Sequence, residues 1–562
     1  MSQPEATVPV AGRLAPALRA FAERLRVARP VPLLAGLVVV QVLIGVWMAW
    51  RTPHNGFLWY SGGDATEYWT ESWSLAHRAM PSATIGYALP VYYGWVPLVA
   101  GPSLLTGVPV IAMLQLFVFV PVGVVCFWGV ADRLFGRVFA WGATTLYVLG
   151  PLLLIAGFEQ RFRDEFEQLF LAPHWFGLTE MADFPTLVGV LACAWATLWA
   201  FDRRSLDAAL LAGLLGGFLL GLKPSNGFFL PGVLVLLAAG RRWRELVVWG
   251  IGLVPALVTL LLWKVRGIGN VPLLALGGAH EALAAGSAVG ATTAFAGGRY
   301  VQFNGHHLHQ ELQDLREVFW SLRLLEFLFF AGILGAVRRF PAKGLFVGVW
   351  AAAYLLFKGS THESAVIAGS YFRLAEAGLP AFALLAASVV FLRPGVRTLA
   401  DAPAHAAAPG RARLRHPRAL AAAAVVLGAV PLAAVAVAGT PAQPRMARDN
   451  QLVNEAPIVH SLDLRASASN GTVRLTWRKP ASAGARLTYR VLRSGTGDGC
   501  SIPETGARIC LLDMDTATVT RSTSWSGAAG AGPTWYRIAV AADFQDDDHG
   551  DLMLLSPAVR VP

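Results

Sequence analysis

Long apolar runs alternate with short Lys/Arg-bearing segments along most of this chain, as far as about residue 440. A bilayer core accepts an apolar helix of about 20 residues, and short basic loops stay on the cytoplasmic side. The pattern predicts eleven spans, at roughly 31–50, 109–130, 138–156, 181–201, 206–222, 226–240, 246–264, 318–337, 344–358, 372–392 and 419–439. Arg13, Arg19, Arg24, Arg26 and Arg29 hold the N-terminus inside. "ADRLFGR" (131–137), "FDRRS" (201–205), "GRRWRE" (240–245), "RRFPAK" (338–343), "RPGVRT" (393–398) and "GRARLRHPR" (410–418) mark the later inside loops. Residues 51–108 and 265–317 then form two long outer segments. Within the first, "ALPVYYGWVPLVAG" reads as a helix lying in or dipping into the outer leaflet. Residues 1–30 are Arg-rich without an apolar core, so the run from Val31 is expected to be a retained helix rather than a cleaved leader.

Past Leu452 the period changes. "TVRLTWRKP", "LTYRVLRSG", "TWYRIAVAAD" and "SPAVRVP" alternate apolar and polar residues with turns between, the signature of half-buried strands. Val473, Leu475 and Trp477 would share one face, as would Tyr536, Ile538 and Val540 on a later strand. The expected organisation is a basic cytoplasmic N-terminus (1–30), a polytopic all-α membrane domain (31–440), a linker (441–454) and a small all-β sandwich (455–562) outside the membrane.

Composition agrees with this. Of 562 residues, 55% are hydrophobic and 14% charged, which excludes an ordinary soluble domain. The net charge is +11, while the tail from Leu452 carries eleven basic and eleven acidic residues. The excess therefore lies in the membrane part, where it reflects loops facing anionic lipid, and nothing resembles a nucleic-acid-binding module. High Ala, Gly, Arg and Pro content suits a high-GC bacterium such as an actinomycete. Cys126 and Cys193 sit in apolar runs as small core residues. Cys500 and Cys510 lie close together in the polar tail, which suits a disulfide in an oxidising compartment; two free thiols are the alternative.

Against so few charges, the outer segments carry candidate chemistry. In "SGGDATEYW" and the residues after it, Asp64, Glu67 and Glu71 follow the spacing i, i+3, i+7 and share one helix face, with Tyr68 beside them as a candidate substrate contact. Carboxylates beside apolar segments should face water, a cation or a substrate; the competing reading is the solvated side of an interfacial helix. Glu180 and Asp183 form a second acidic pair at the mouth of the fourth span, where acids also complement a helix dipole. Lys223, Lys264, Arg266, Lys358 and Arg373 break the positive-inside bias. One such residue would be a snorkelling end group, but several at one depth would hold an anionic headgroup. His306, His307 and His309 lack a convincing metal-ligand spacing and read as polar loop residues, while His362 and Glu363 would line the same outer chamber. The residue types leave a divalent cation between Asp64 and Asp183 as an open question.

Five stretches, taken in order, resemble one superfamily: "GGDATEYWTESWSLA", "GYALPVYYGWVPL", "DRLFGRVFAWGATTLYVLGPLL", "AALLAGLLGGFLLGLKPSNGFFLPGVLVLL" and "SYFRLAEAGLPAFALL". Over residues 31–392 the plan resembles the GT-C glycosyltransferases, polytopic enzymes that use polyprenyl-phosphate sugars. They include protein mannosyltransferases, aminoarabinose transferases of lipid A and actinobacterial arabinofuranosyltransferases. The resemblance implies that Asp64 matches the position expected for the catalytic acid. It implies that Asp183 or Glu180 matches the acid opening the fourth span, and that Lys223 and Arg373 lie near the donor phosphate. Where the family often has two adjacent acids, Gly63 precedes Asp64 and Glu67 is three residues on, so the base stays open between Asp64 and Glu67. Residues from "TVRLTWRKP" onward resemble a fibronectin type III domain. The function so implied is sugar transfer from a polyprenyl-phosphate donor to a hydroxyl of a cell-envelope glycan, lipid or protein at the outer face of the plasma membrane. The alternative is a transporter or flippase of a lipid-linked glycan.

Overall fold

A computed structural model describes residues 23–27, 29–51, 63–76, 86–101, 104–165, 176–178, 182–268, 303–361, 364–367, 370–393 and 417–439 of the helical part, with Ala20 and Arg78. In the tail it describes 446–449, 452–455, 462–480, 487–495, 500–501, 511–512, 514–530, 532–542 and 551–562. The chain is mostly helical up to Val437 and ends in a small antiparallel β region.

Each of the eleven apolar segments is helical. The helices are α1 (Pro30–Arg51), α2 (Gly63–Ala76), α3 (Ala88–Tyr93), α4 (Val96–Ala100), α5 (104–135), α6 (Arg137–Gly157), α7 (Gln160–Glu165), α8 (Asp183–Arg203) and α9 (Leu206–Leu222). They continue as α10 (Leu230–Ala239), α11 (Trp243–Ile268), α12 (Gly305–Val318), α13 (Leu322–Arg339), α14 (Pro341–Ala352), α15 (Ser370–Leu392) and α16 (Pro417–Val437). Seven of them, α1, α5, α6, α8, α11, α15 and α16, are long and apolar enough to cross a membrane. Several are interrupted. Wider π turns occupy Gln115–Phe119 in α5, Ala353–Phe357 after α14 and Val425–Ala429 in α16, and a 3₁₀ turn, Glu376–Gly378, interrupts α15. Such breaks at membrane depth survive where neighbouring helices supply the missing partners.

Small residues let the helices approach. A Cβ on Gly213 of α9 would overlap the Trp249 carbonyl oxygen of α11, whose Gly252 lies directly opposite. In a bilayer, where lipid tails compete equally for apolar contacts, close backbone packing of this kind holds helices together. The same device docks the outer segment: a Cβ on Gly86 would overlap the carbonyl oxygens of Gly221 and Leu222 at the end of α9.

Three of the basic loops expected inside meet at one end of α8. Asp202, with its side chain 7% exposed, lies 2.9 Å from Lys343 Nζ and 3.6 Å from Arg133 Nη1. Lys343 also donates to the Arg133 carbonyl oxygen, and the Arg133 guanidinium lies over the Trp199 ring, 5.4 Å from its centre. This network ties "ADRLFGR", "FDRRS" and "RRFPAK" into one cap.

In the tail, β1 (Arg465–Ser469), β2 (Thr472–Thr476) and β5 (Ser524–Ala528) form one antiparallel sheet. A second runs β4 (Asp515–Thr520), β3 (Leu487–Ser494), β6 (Thr534–Ala542) and β7 (Asp551–Leu555), with β8 (Val559–Val561) also paired to β6. Asn470 and Gly471, both at positive φ, turn β1 into β2, as a tight two-residue hairpin requires. Val473 and Leu475 of the first sheet and Tyr489, Val491, Tyr536, Ile538 and Val540 of the second are all buried. Trp477 meets Tyr489 edge-on, and Trp525 meets Tyr536, across the core between the sheets. The period-two faces expected for Val473, Leu475 and Trp477 and for Tyr536, Ile538 and Val540 are those that pack inward.

Candidate functional site

At the opposite end of α8 from the Asp202 cap, four segments far apart in sequence meet in one cleft. Asp183 is the first residue of α8. Lys223 follows α9 in extended conformation (φ −145°, ψ 127°), because Pro224 disfavours the helical state for the residue before it. The 3₁₀ turn Pro224–Phe229 then leads into α10. Asn226 in that turn donates to Thr186 Oγ1 at 3.0 Å and to the Leu219 carbonyl at 2.8 Å, fastening the break onto α8. Lys358 opens the short 3₁₀ turn Lys358–Ser360 that ends the α14 segment, and Arg373 lies in the first turns of α15.

The side chains converge. Lys223 Nζ donates to Asp183 Oδ1 at 2.8 Å, and Arg373 Nε lies 3.8 Å from Asp183 Oδ2, an ionic contact longer than a hydrogen bond. Asp183, Thr186, Lys223, Asn226, Tyr354, Lys358 and Arg373 line one cleft. Lys358 is only 2% exposed. A lysine buried to that degree, lining the same cleft as Arg373 and Lys223, is not a snorkelling end group. Glu376, three residues after Arg373 and between the cleft-lining Leu374 and Ala377, is 2% exposed.

Asp64 and Glu67 lie on α2, but their side chains are outside the described residues, as are Glu180, His362 and Cys510. Cys500 falls on a short strand paired with Leu512, with its side chain likewise outside the description, so the Cys500–Cys510 pairing lies there too. Lys264 and Arg266 lie in the last turns of α11, also without described side chains. Tyr68 is fully buried and is not among the described residues lining the cleft. Glu71, expected on the exposed acidic face, is fully buried instead. The reason is packing: α2 lies against α3, α4 and α5, and Tyr68, Glu71 and Ser72, neighbours along one side of it, are all buried.

The histidines also differ from the loop expectation, since His306, His307 and His309 lie on α12. Asn304 caps the helix by accepting from His307 N at 3.0 Å. His307 Nε2 lies 2.8 Å from the Ser364 carbonyl oxygen and 3.4 Å from Glu311 Oε1, and Glu311 Oε2 accepts from Val366 N at 2.7 Å. Asn304 N also reaches Ser360 Oγ at 3.4 Å. The helix is thus clamped onto the segment that follows Lys358. Burial, with Asp314 nearby, raises the Glu311 carboxyl above its ordinary range, although Val366 N and His307 pull it down. Among the described residues no group of three or more His, Cys, Asp or Glu could hold a metal ion. The described groups that approach Asp183 are Lys223 and Arg373; the side chain of Asp64, the other carboxylate of the cation question, lies outside the described residues.

Sequence reasoning missed Glu376. The signal was available, since an ionisable residue inside an apolar span is a site candidate by itself, and Glu376 stands three residues after Arg373.

No family model matches the chain, and no curated protein matches it. Among solved structures it is similar to the archaeal oligosaccharyltransferase AglB of Archaeoglobus fulgidus, in complex with an inhibitory peptide and a dolichol-phosphate. The identity is 16% and the TM-score 0.39, over 73% of this chain and 56% of that one. It is also similar to an Archaeoglobus fulgidus oligosaccharyltransferase in the apo form, at 15% identity and a TM-score of 0.36 over the same shares. The chain thus spans little more than half the length of these structures, and its function is read from its own site.

Proposed function

We propose that the protein is an integral-membrane glycosyltransferase of the GT-C kind, moving a sugar from a polyprenyl-phosphate donor to an acceptor hydroxyl at the non-cytoplasmic face. The observation that carries this reading is the convergence of Lys223, Lys358 and Arg373 on one cleft beside Asp183. Three cations within a helical bundle suit a phosphate whose lipid tail stays in the bilayer. Depth supports the outer placement. Asp183 and Asp202 lie at the two ends of α8, 19 residues apart, or about 29 Å at 1.5 Å per residue, close to the thickness of a hydrocarbon core. The basic cap around Asp202 then faces the cytoplasm and the cleft faces outward.

In the reaction, the acceptor oxygen bonds to the anomeric carbon as the bond from that carbon to the phosphate oxygen breaks. The electron pair stays on the phosphate, and the hydroxyl proton passes to a carboxylate of α2, Asp64 or Glu67. Displacement from the far side inverts the anomeric centre. A positioned base contributes about 10²–10⁴-fold. Lys223, Lys358 and Arg373 stabilise charge on the departing phosphate, so no general acid is required. The tail is proposed to be a fibronectin type III-like module that spaces or binds; its pairing of a three-stranded with a larger sheet supports that reading.

The test is transfer of labelled sugar from a polyprenyl-phosphate donor to a hydroxyl acceptor by the full chain in lipid nanodiscs. Asp64→Asn should lower turnover at least 100-fold with donor binding retained, and Arg373→Gln should weaken donor binding. Vesicles containing the protein that move a lipid-linked glycan across the bilayer, with no transfer in nanodiscs, would favour transport instead.

A further inference from the structure

Lys358 and Arg373 stand at the two ends of one stretch of chain, and the proposed reaction, on which this inference rests, sets both against the donor phosphate. The stretch leaves the π turn Ala353–Phe357 and returns to the bundle as α15. Its ends are tied together. Tyr371, two residues before Arg373, donates its hydroxyl to the Leu355 carbonyl at 3.2 Å, and its ring leaves no room for a Cβ on Gly359, beside Lys358. Ala365, midway, is tied to the same end: its N–H donates to Ser370 Oγ at 2.9 Å, and its carbonyl accepts from Tyr371 N at 3.1 Å.

The helix α12 grips this stretch on either side of Ala365. Asn304, His307 and Glu311 follow the spacing i, i+3, i+7 along one side of the helix, and they meet Ser360, Ser364 and Val366 in turn. A carbonyl oxygen only accepts, so Nε2 of His307 carries a hydrogen and donates to Ser364 at 2.8 Å. Glu311 Oε1 lies 3.4 Å from that nitrogen, and Oε2 accepts from Val366 N at 2.7 Å. Glu311, Ser364 and Val366 are all buried, where water does not replace a lost hydrogen bond. The far end of α12 is fixed to the end of α6. Glu159 N donates to the Val318 carbonyl at 2.8 Å, and Trp320 N to the Gly157 carbonyl at 3.1 Å. Phe158 stacks on Phe319 there and meets Phe372, the neighbour of Arg373, edge-on. The helix is therefore a strut, anchored on α6 and holding the stretch that carries both cations.

We propose that Glu311 and His307 are positioning residues: through Val366 and Ser364 they fix the Lys358–Arg373 stretch, so that the cleft holds a lipid phosphate only while α12 is seated. Neither is among the described residues lining the cleft. Their effect reaches Arg373 through Ala365, Ser370 and Tyr371, and it is read in the affinity for the phosphate.

The test is titration calorimetry of the full chain in lipid nanodiscs, with farnesyl monophosphate as the probe. Glu311→Ala strands the Val366 N–H and should weaken binding about tenfold, whereas Glu311→Gln keeps an acceptor there and should restore most of the affinity. The same change made in an Arg373→Gln background should add less than about twofold, because the residue it acts through is already gone. A merely structural role would weaken binding equally in both backgrounds. His307→Ala leaves the Glu311–Val366 bond in place and carries the same pair of measurements if Glu311→Ala does not fold. Unchanged affinity in both alanine variants, or the full loss repeated in the Arg373→Gln background, overturns the positioning role alone. Failure of the wild type to bind the probe overturns the proposed reaction with it.

Discussion

Asp183 is the residue on which the cleft depends. It is 7% exposed and meets Lys223 and Arg373, whose own side chains are 14% and 25% exposed. Removing one partner of a buried pair leaves the other charge uncompensated, at a cost of about 3–5 kcal/mol. Asp183→Asn is therefore expected to lower the denaturation midpoint measurably in a thermal scan. Bound farnesyl phosphate should restore part of the loss, because it supplies a new negative partner for Lys223 and Arg373. Glu311 gives a pH prediction. Its carboxyl is raised by burial, so the folded state holds a proton more tightly than the unfolded one. Between the unfolded value near 4.3 and the raised folded value, stability falls as pH rises. Protection factors of α12 amides, which correct for base-catalysed exchange, should fall as pH rises across that window, and Glu311→Gln should flatten the dependence while leaving an acceptor for Val366 N.

At the level of elements, sites sit where helices break. Lys223 stands between α9 and the turn that begins at Pro224, and Lys358 follows a π turn. Pro224 was legible as a break in the sequence. The π turn was not, because Ala353–Phe357 is an apolar run like its neighbours. The α9–α11 contact rests on Gly213 and Gly252, where added volume has nowhere to go. Gly213→Val should cost about 1–3 kcal/mol through overpacking, read as a lower melting temperature in detergent. Ala at Gly250, which has open space around it, should have little effect.

For the whole molecule, α8 spans from cleft to basic cap, and the proposed sidedness can be tested directly. In a background with Cys500 and Cys510 replaced by Ser, Cys126 and Cys193 stay buried and unreactive. An impermeant maleimide should label His309→Cys, an exposed position of α12, in intact cells. It should label Arg244→Cys, exposed at the start of α11, only after permeabilisation. Labelling in the reverse order would move the cleft to the cytoplasmic side and remove the outer-face acceptor from the proposal.

Apolar runs, basic loops and period-two alternation were readable from the residues alone, because burial in lipid or in a β core constrains each position through its own hydropathy. That is why the helices and strands, and the inward faces of Val473 and Ile538, could be drawn from the chain. The break at Lys223 was also local, since a proline acts on the residue before it. Which charges meet was not local. Asp183 and Lys223 are 40 residues apart, and Lys358 and Arg373 come from still later segments. The burial of Glu71 depends on what covers α2, and the contacts of His307 depend on the Ser364 carbonyl, 57 residues away in sequence. Coulomb and hydrogen-bond energies depend on distance in space, so only the packing of the helices decided which of these polar groups became a site.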